Sequence, residues 1–176
     1  MQVRLIKGFA IGITGLFVFI TIFSLFIPSR ISITKAVVIN TNAAKVFAQV
    51  KDLKNWKNWQ PVFKIGSADI KFETGADSIS RACQWESNGK LNKIVITADT
   101  GNTIAAYLTR NGENTIENKI RILPLADANQ VQAEWNVQIK LKWYPWEKFY
   151  GIFIEKVSGQ GYEDALNGLK EYCESH

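Results

Sequence analysis

Histidine is almost missing: the chain has one in 176 residues, and it is the last, His176. That leaves no interior imidazole for general acid–base work or for a histidine-containing metal site. Cysteine is scarce too, with only Cys83 and Cys173, far apart in sequence. Two cysteines make no disulfide framework; they either form one bridge in an oxidising compartment or serve as small, partly buried apolar side chains. No histidine lies beside either one to activate it as a nucleophile. There is no glycine-rich phosphate loop, no nucleophile elbow, no acidic pair at useful spacing in one element, and no internal repeat. Neither a metal nor a cofactor is expected. Catalysis by Asp, Glu, Arg or Tyr assembled from distant strands stays open.

A strong charge of either sign is also lacking. Of 21 basic residues, Arg4 and Lys7 sit at the extreme N-terminus, which leaves 19 against 16 acidic ones over the rest. That balance is too mild and too scattered for a nucleic-acid surface, so no nucleic-acid partner is expected. Lys45, Lys51, Lys54 and Lys57 could favour anionic lipid headgroups, or could form an ordinary solvated face.

The sharpest absence is of charge from Gly8 to Ile27. Twenty helical residues at about 1.5 Å each span roughly 30 Å, the thickness of a bilayer's hydrocarbon core. A cleaved signal would have a shorter apolar run and a small-residue cleavage site, and Ile27-Pro28-Ser29-Arg30 offers none. Residues 1–29 therefore read as a single-pass anchor crossing the lipid bilayer through residues 8–27, and residues 30–176 as one domain. Arg4 and Lys7 on one side and Arg30, Lys35 and Lys45 on the other nearly balance the positive-inside count. The expectation adopted is a domain outside the cytoplasm.

Beyond the anchor, Arg30 to Ile39 alternates as a strand with Ile31, Ile33, Val37 and Ile39 on one face. Thr41 or Asn42 can cap a short helix carrying Val46, Phe47 and Val50. Asp52 starts a second one with Leu53, Trp56 and Trp59, ending before Pro61. From about Ser67 the period becomes two. Ile70 and Phe72 mark a short strand, and Ile79, Arg81, Cys83 and Trp85 share a face of the next. Asn88-Gly89, Thr100-Gly101-Asn102, Asn111-Gly112 and Asp127-Ala128-Asn129 are turns between strands at 91–98, 103–110, 116–123 and 130–141. In the last strand Val131, Ala133, Trp135, Val137, Ile139 and Leu141 alternate strictly with polar residues, giving one wet and one packed face. From Trp146 to about Glu174 the spacing is helical, with one stripe of Phe149, Ile152, Phe153 and Val157 continued by Tyr162, Leu166, Leu169 and Tyr172. Gly159 and Gly161 in its middle suggest a kink or a close approach. The class is α+β: a curved antiparallel sheet of about six or seven strands wrapped on a long C-terminal helix, with two short helices after the first strand and one transmembrane helix before it.

That order resembles the START-like superfamily, also called SRPBCC or the polyketide cyclase/dehydrase and lipid-transport group, with its helix-grip fold. Three stretches carry the likeness: Ile39-Asn40-Thr41-Asn42-Ala43-Ala44-Lys45-Val46-Phe47, then Val50-Lys51-Asp52-Leu53 through Trp56, Trp59 and Pro61, and finally Trp146-Glu147-Lys148-Phe149 through Gly159, Gly161, Tyr162, Ala165, Leu166 and Leu169-Lys170. It covers about residues 31 to 174 and is similar above all to membrane-anchored bacterial members, which implies a bacterial inner membrane. The resemblance implies a deep, mostly apolar cavity between sheet and long helix, used across the superfamily for lipids, sterols, polyketides and other hydrophobic ligands.

The candidate cavity residues are Arg81, Trp85, Tyr107, Asn118, Trp135 and Phe153. Arg81 could anchor a ligand's carboxylate or phosphate, or it could pair with an acid at the sheet edge and cover apolar surface with its stem. Asn118, among Ile116, Ile120 and Ile122, poses the same choice. The aromatic cluster Trp143-Tyr144-Pro145-Trp146 with Phe149 and Tyr150 reads either as packing at a strand-to-helix corner or as a patch at a cavity mouth or membrane interface. Trp56 and Trp59 carry the same two readings. A non-enzymatic domain binding a hydrophobic small molecule ranks first. A cyclase or dehydratase needing at least two converging ionisable groups is the alternative, and an interaction or envelope-stress module with a filled core is the third.

Overall fold

The uncharged run forms a helix, α1 (Gln2–Leu25), in a computed structural model that describes residues 2–65, 69–87, 89–127 and 129–176. Ser67, Asn88 and Ala128, named above at a change of period and in two turns, lie outside the described residues. From Ile6 to Leu25 the helix is long and apolar enough to cross a membrane. Its hydroxyls are satisfied within it: Thr14 Oγ1 donates to the Ala10 carbonyl at 2.9 Å and Thr21 Oγ1 to Phe17 at 2.8 Å. The helix ends two residues before the predicted Ile27, in a turn closed by the Phe26 and Ile27 amides.

Among the described residues seven antiparallel strands follow: β1 (Arg30–Ile39), β2 (Lys71–Thr74), β3 (Ser80–Ser87), β4 (Lys90–Asp99), β5 (Thr103–Arg110), β6 (Ile116–Pro124) and β7 (Val131–Lys140). Their order across the sheet is β1-β7-β6-β5-β4-β3-β2, so hairpins join every pair from β2 to β7 and the first strand adds to the far edge beside the last. Gly101 and Gly112 each take φ of 82° in their hairpins, a backbone that side chains with a Cβ rarely adopt. Period-two alternation puts one row of each strand inward: Asn92, Ile94 and Ile96 on β4, Ile104 and Ala106 on β5, Val131, Ala133, Trp135 and Val137 on β7.

Between β1 and β2 the chain makes α2 (Ala43–Lys51), a 3₁₀ turn (Leu53–Asn58) and a further short helix, α3 (Pro61–Ile65). The sequence predicts an end before Pro61; instead proline opens α3, a position where its missing N–H is no loss. Asn42 is the α2 cap, its Oδ1 accepting the Lys45 amide at 2.9 Å. Asp52 Oδ1 accepts from the Lys54 amide and also from the Ser80 amide, tying these helices to β3.

The closing helix, α4 (Pro145–Ser175), lies across the inward face. Its second half packs through Ala165, Leu166, Leu169 and Cys173. Gly168 sits directly on the Trp59 carbonyl, where a Cβ would collide with backbone. The first half differs from expectation. Ile152, Phe153 and Val157 point away from the sheet, and the residues facing it are Lys148, Gly151 and Ile154. The reason is steric: a Cβ at Gly151 would meet Leu141 Cδ1 and Ile31 Cδ1, so only glycine lets the helix approach there. A Cβ on Gly159 would likewise come close, 3.2 Å from Lys35 Cε, whereas one on Gly161 meets nothing within 4 Å among the described residues.

Candidate functional site

Six tryptophans divide four to two. Trp56, Trp59, Trp85 and Trp135 are buried, while Trp143 and Trp146 are exposed. Trp135 is the hub of the buried group, with ring centroids 5.7 Å from Trp56, 6.0 Å from Trp59 and 5.2 Å from Tyr162. Phe63 bridges Trp56 and Trp85 at 5.7 and 5.3 Å. Three of these indoles spend their N–H on fixed acceptors: Trp56 on the Val50 carbonyl, Trp59 on the Gln49 carbonyl and Trp135 on Asn118 Oδ1 at 3.1 Å. Such rings are locked, so the space they border has a defined shape.

That space is a cavity of about 210 Å³ between sheet and α4, lined by Trp56, Phe63, Trp85, Ile94, Leu108 and Trp135 on its apolar side. Gln60, Arg110, Asn118, Ser158 and Tyr162 supply its polar lining. A second hollow of about 400 Å³ opens beyond it, under the first half of α4, and shares Arg110, Ser158 and Tyr162 with the first. Together they fall in the range of about 300–1,000 Å³ usual for small-molecule sites.

Arg110 stands where the two hollows meet. Its register partner across the β4–β5 ladder is Asn92, which is fully buried. Asn92 Nδ2 donates to the Lys90 carbonyl at 3.0 Å and leans on Trp85 O at 3.4 Å, which leaves Oδ1 to accept Arg110 Nε at 2.8 Å. The guanidinium is thus held by its inner nitrogen, with Glu113 3.6 Å from Nη1. Glu113 in turn accepts from Lys90 at 2.8 Å, and that bond, with Arg110 adding to it, holds its carboxyl below the usual range. Tyr162, like Ser158, also lines both hollows. Burial pushes its phenol up, although Arg110 opposes the shift, so the hydroxyl stays protonated through the physiological range.

Of the six residues predicted from sequence, Trp85, Asn118 and Trp135 line the cavity. The other three do not. Arg81 carries a two-toothed ion pair with Asp77, at 2.6 and 3.0 Å, on the exposed side of the sheet edge. The register slips between Glu73 and Thr74, whose partners are Ala82 and Ser80, so Arg81 is left unopposed and its alternation with Cys83 and Trp85 breaks. Tyr107 belongs to the outward row of β5 and borders a shallow hollow with Glu117, Lys119 and Asn136 on the far face. Phe153 is exposed on the outer side of α4. Arg110, Asn92 and Tyr162 escaped the sequence reading as site residues. Arg110 shares parity with Ile104, Ala106 and Leu108, as Asn92 does with Ile94 and Ile96, and that parity is the signal that could have found them.

The two cysteines are both free and buried. Burial drives the Cys83 thiol up to about 12 and the Cys173 thiol up to about 11, so neither offers a thiolate near neutral pH.

The family model for polyketide cyclase / dehydrase and lipid transport matches residues 30–174. No curated protein matches the sequence. Among solved structures, a START superfamily protein from Mycobacterium smegmatis superposes with a TM-score of 0.62 at 18% identity, over 82% of this chain and 97% of that one. The Zhui aromatase/cyclase from Streptomyces sp. R1128 gives 0.62 at 14% identity, over 82% and 94%. A protein of unknown function from Staphylococcus aureus gives 0.62 at 9% identity, over 83% and 94%. These likenesses fix the fold, and the matched model covers all seven strands and nearly all of α4, so the chain belongs to the polyketide cyclase/dehydrase and lipid transport family, with a START-like helix-grip domain behind an apolar N-terminal helix.

Proposed function

We propose that this protein is a membrane-tethered binding domain for a lipid or another hydrophobic small molecule. The observation that carries the reading is the pairing of an aromatic-walled cavity with one guanidinium held at its mouth by a buried asparagine. An apolar body would lie among Trp56, Phe63, Trp85 and Trp135, and a carboxylate or other anionic end would meet Arg110. Charge-assisted bonds to a pre-oriented guanidinium are stronger than neutral ones and give direction to an otherwise greasy contact. The tether is α1, whose length and composition support a span. The family description, which includes lipid transport, agrees with this class of ligand.

One variant tests it. Gly161 is part of the cavity lining, and among the described residues nothing lies within 4 Å of a Cβ added there, so a leucine has room to occupy the cavity. Small molecules extracted from the purified full chain and from Gly161→Leu, prepared alike, are compared by mass spectrometry. A stoichiometric apolar compound present in the wild type and depleted from the variant is the expected result. Identical extracts would contradict the reading, because lipid merely surrounding α1 is common to both.

A second reading, an enzyme of the cyclase or dehydratase kind, is favoured by the convergence of Arg110 and Tyr162 on the same space. A protonated phenol beside a guanidinium could donate to a substrate carbonyl while the cavity folds the chain. The neighbouring aromatase/cyclase makes this the natural competitor. A substrate that is converted, with turnover lost in Tyr162→Phe but binding retained, would move the assignment to it.

A further inference from the structure

α4 carries two separate apolar faces over its first three turns. One side packs on the sheet through Gly151 and Ile154. The other carries Trp146, Tyr150, Phe153 and Val157 at spacings of four, three and four, a single straight stripe. Those four are 62, 53, 60 and 64% exposed, and Trp143 just before them is 71% exposed. An exposed apolar stripe of this length marks a surface that something covers. The same stripe continues past Val157 as Gln160, Asp164 and Glu171, so the apolar character is confined to one end of the helix.

That end is the one beside the membrane-length helix. Lys148, 5% exposed, donates from Nζ to the Ile27 carbonyl at 2.8 Å and to Ser29 Oγ at 2.6 Å. Ile27 and Ser29 lie just past Leu25, where the apolar span stops. The Leu141 amide bonds the Ser29 carbonyl at 2.8 Å, so the strand that leads into α4 is fixed at the same level. Trp146 and Tyr150 flank Lys148 by two residues, about 3 Å along the axis on either side. The stripe therefore begins at the height at which a bilayer would end. Its composition suits a membrane interface, with tryptophan and tyrosine first and Lys142 and Lys156 nearby, although Glu147 and Glu155 share these turns on other faces of the helix.

Resting on the proposal that α1 spans a bilayer, we infer that the first half of α4 is a second membrane contact, lying in the interface of the same bilayer with Trp143, Trp146, Tyr150, Phe153 and Val157 in the lipid. The occupant is the bilayer because the stripe starts beside the end of the span, gives way along its own line to Gln160, Asp164 and Glu171, and is built from interfacial residue types. The contact has a consequence for loading. Tyr150 belongs both to the stripe and to the lining of the outer hollow that leads to Arg110. A membrane seated on the stripe faces the mouth of the cavity, so an apolar ligand passes between bilayer and cavity without crossing water.

The test uses the full chain in phosphatidylcholine–phosphatidylglycerol vesicles containing phospholipids brominated near the headgroup or deep in the acyl chains. Bromine quenches tryptophan only on contact. The four buried tryptophans are shielded, so Trp143 and Trp146 are expected to supply a component quenched most by the shallow bromines and protected from aqueous iodide. Trp143→Phe/Trp146→Phe should lose that component, and Phe153→Trp in that background should restore it. Emission from Trp143 and Trp146 that is open to iodide and untouched by bromine would overturn the inference while leaving the tether intact. Protection from both quenchers would also overturn it, pointing to a second copy of the chain over the stripe. A chain stripped from the vesicles by alkaline washing would overturn the tether and this contact together.

Discussion

Asn92 has no exposed surface, yet its amide is fully employed: two carbonyls on one side, the Arg110 ε-nitrogen on the other. Buried polar groups arranged this way specify one geometry, and here the geometry is that of a cation at a cavity mouth. Arg81 shows the opposite outcome for the same residue type, paired with Asp77 in solvent. An exposed pair of that kind adds little to stability. The cysteines give a pH dependence whose sign follows directly. The unfolded thiols release protons near 9.0, whereas the folded ones hold theirs to about 12 for Cys83 and about 11 for Cys173. In that window the folded state binds more protons than the unfolded, so stability is complete below pH 9 and falls as pH rises. Tyr162, also raised by burial, adds to the fall at higher pH. Urea midpoints should therefore drop on going from about pH 8 to about pH 10.5, and drop less in Cys83→Ala/Cys173→Ala. An equal drop in the double variant would mean the thiols are not buried as described.

Elements repeat the lesson with different physics. Strands whose alternation runs unbroken could be read face by face from sequence, as with Trp135 on β7 and Asn118 on β6. Where a register slip intervenes, as at Glu73 and Thr74, parity misleads, and Arg81 was misplaced for that reason. Tyr107 was ambiguous because the outward row of β5 also holds Ala105, so hydrophobicity alone does not choose the face. The early turns of α4 were illegible in a deeper sense. Two apolar stripes satisfy the helical period, and only the contact between Gly151, Ile31 and Leu141 decides which one packs. Glycine positions along α4 separate cleanly by what they touch. Gly168→Ala would drive a methyl into the Trp59 carbonyl, which belongs to backbone and cannot swing away. Overpacking costs about 1–3 kcal/mol, against a gain in helix propensity of up to about 1 kcal/mol, so a net loss of about 1–2 kcal/mol is expected in denaturant unfolding. A gain in stability would show that the helix rides further from the 3₁₀ turn than described.

For the molecule as a whole, sheet, closing helix and apolar N-terminal helix are joined in one arrangement. The sheet supplies a tryptophan wall, α4 closes it, and Lys148 pins the start of α4 to the end of the membrane-length helix. The fold order was legible because hairpin signals and alternation are local. The cavity was not, because it is assembled from the 3₁₀ turn, α3, β3, β4, β5, β6, β7 and α4 and no one segment announces it. Its occupancy is the central claim, and the tryptophan distribution offers a direct reading. In Trp143→Phe/Trp146→Phe every remaining tryptophan lines the cavity or stacks on one that does. The measurement is titration of that variant, full-length in vesicles, with a long-chain acid dibrominated in mid-chain. Saturable quenching that approaches one acid per chain, with affinity weakened about tenfold in Arg110→Met, a charge-assisted bond being worth about 1.5–3 kcal/mol, is the predicted result. Emission that stays constant, or that falls in simple proportion to the acid dissolved in the bilayer, would contradict a ligand-binding cavity.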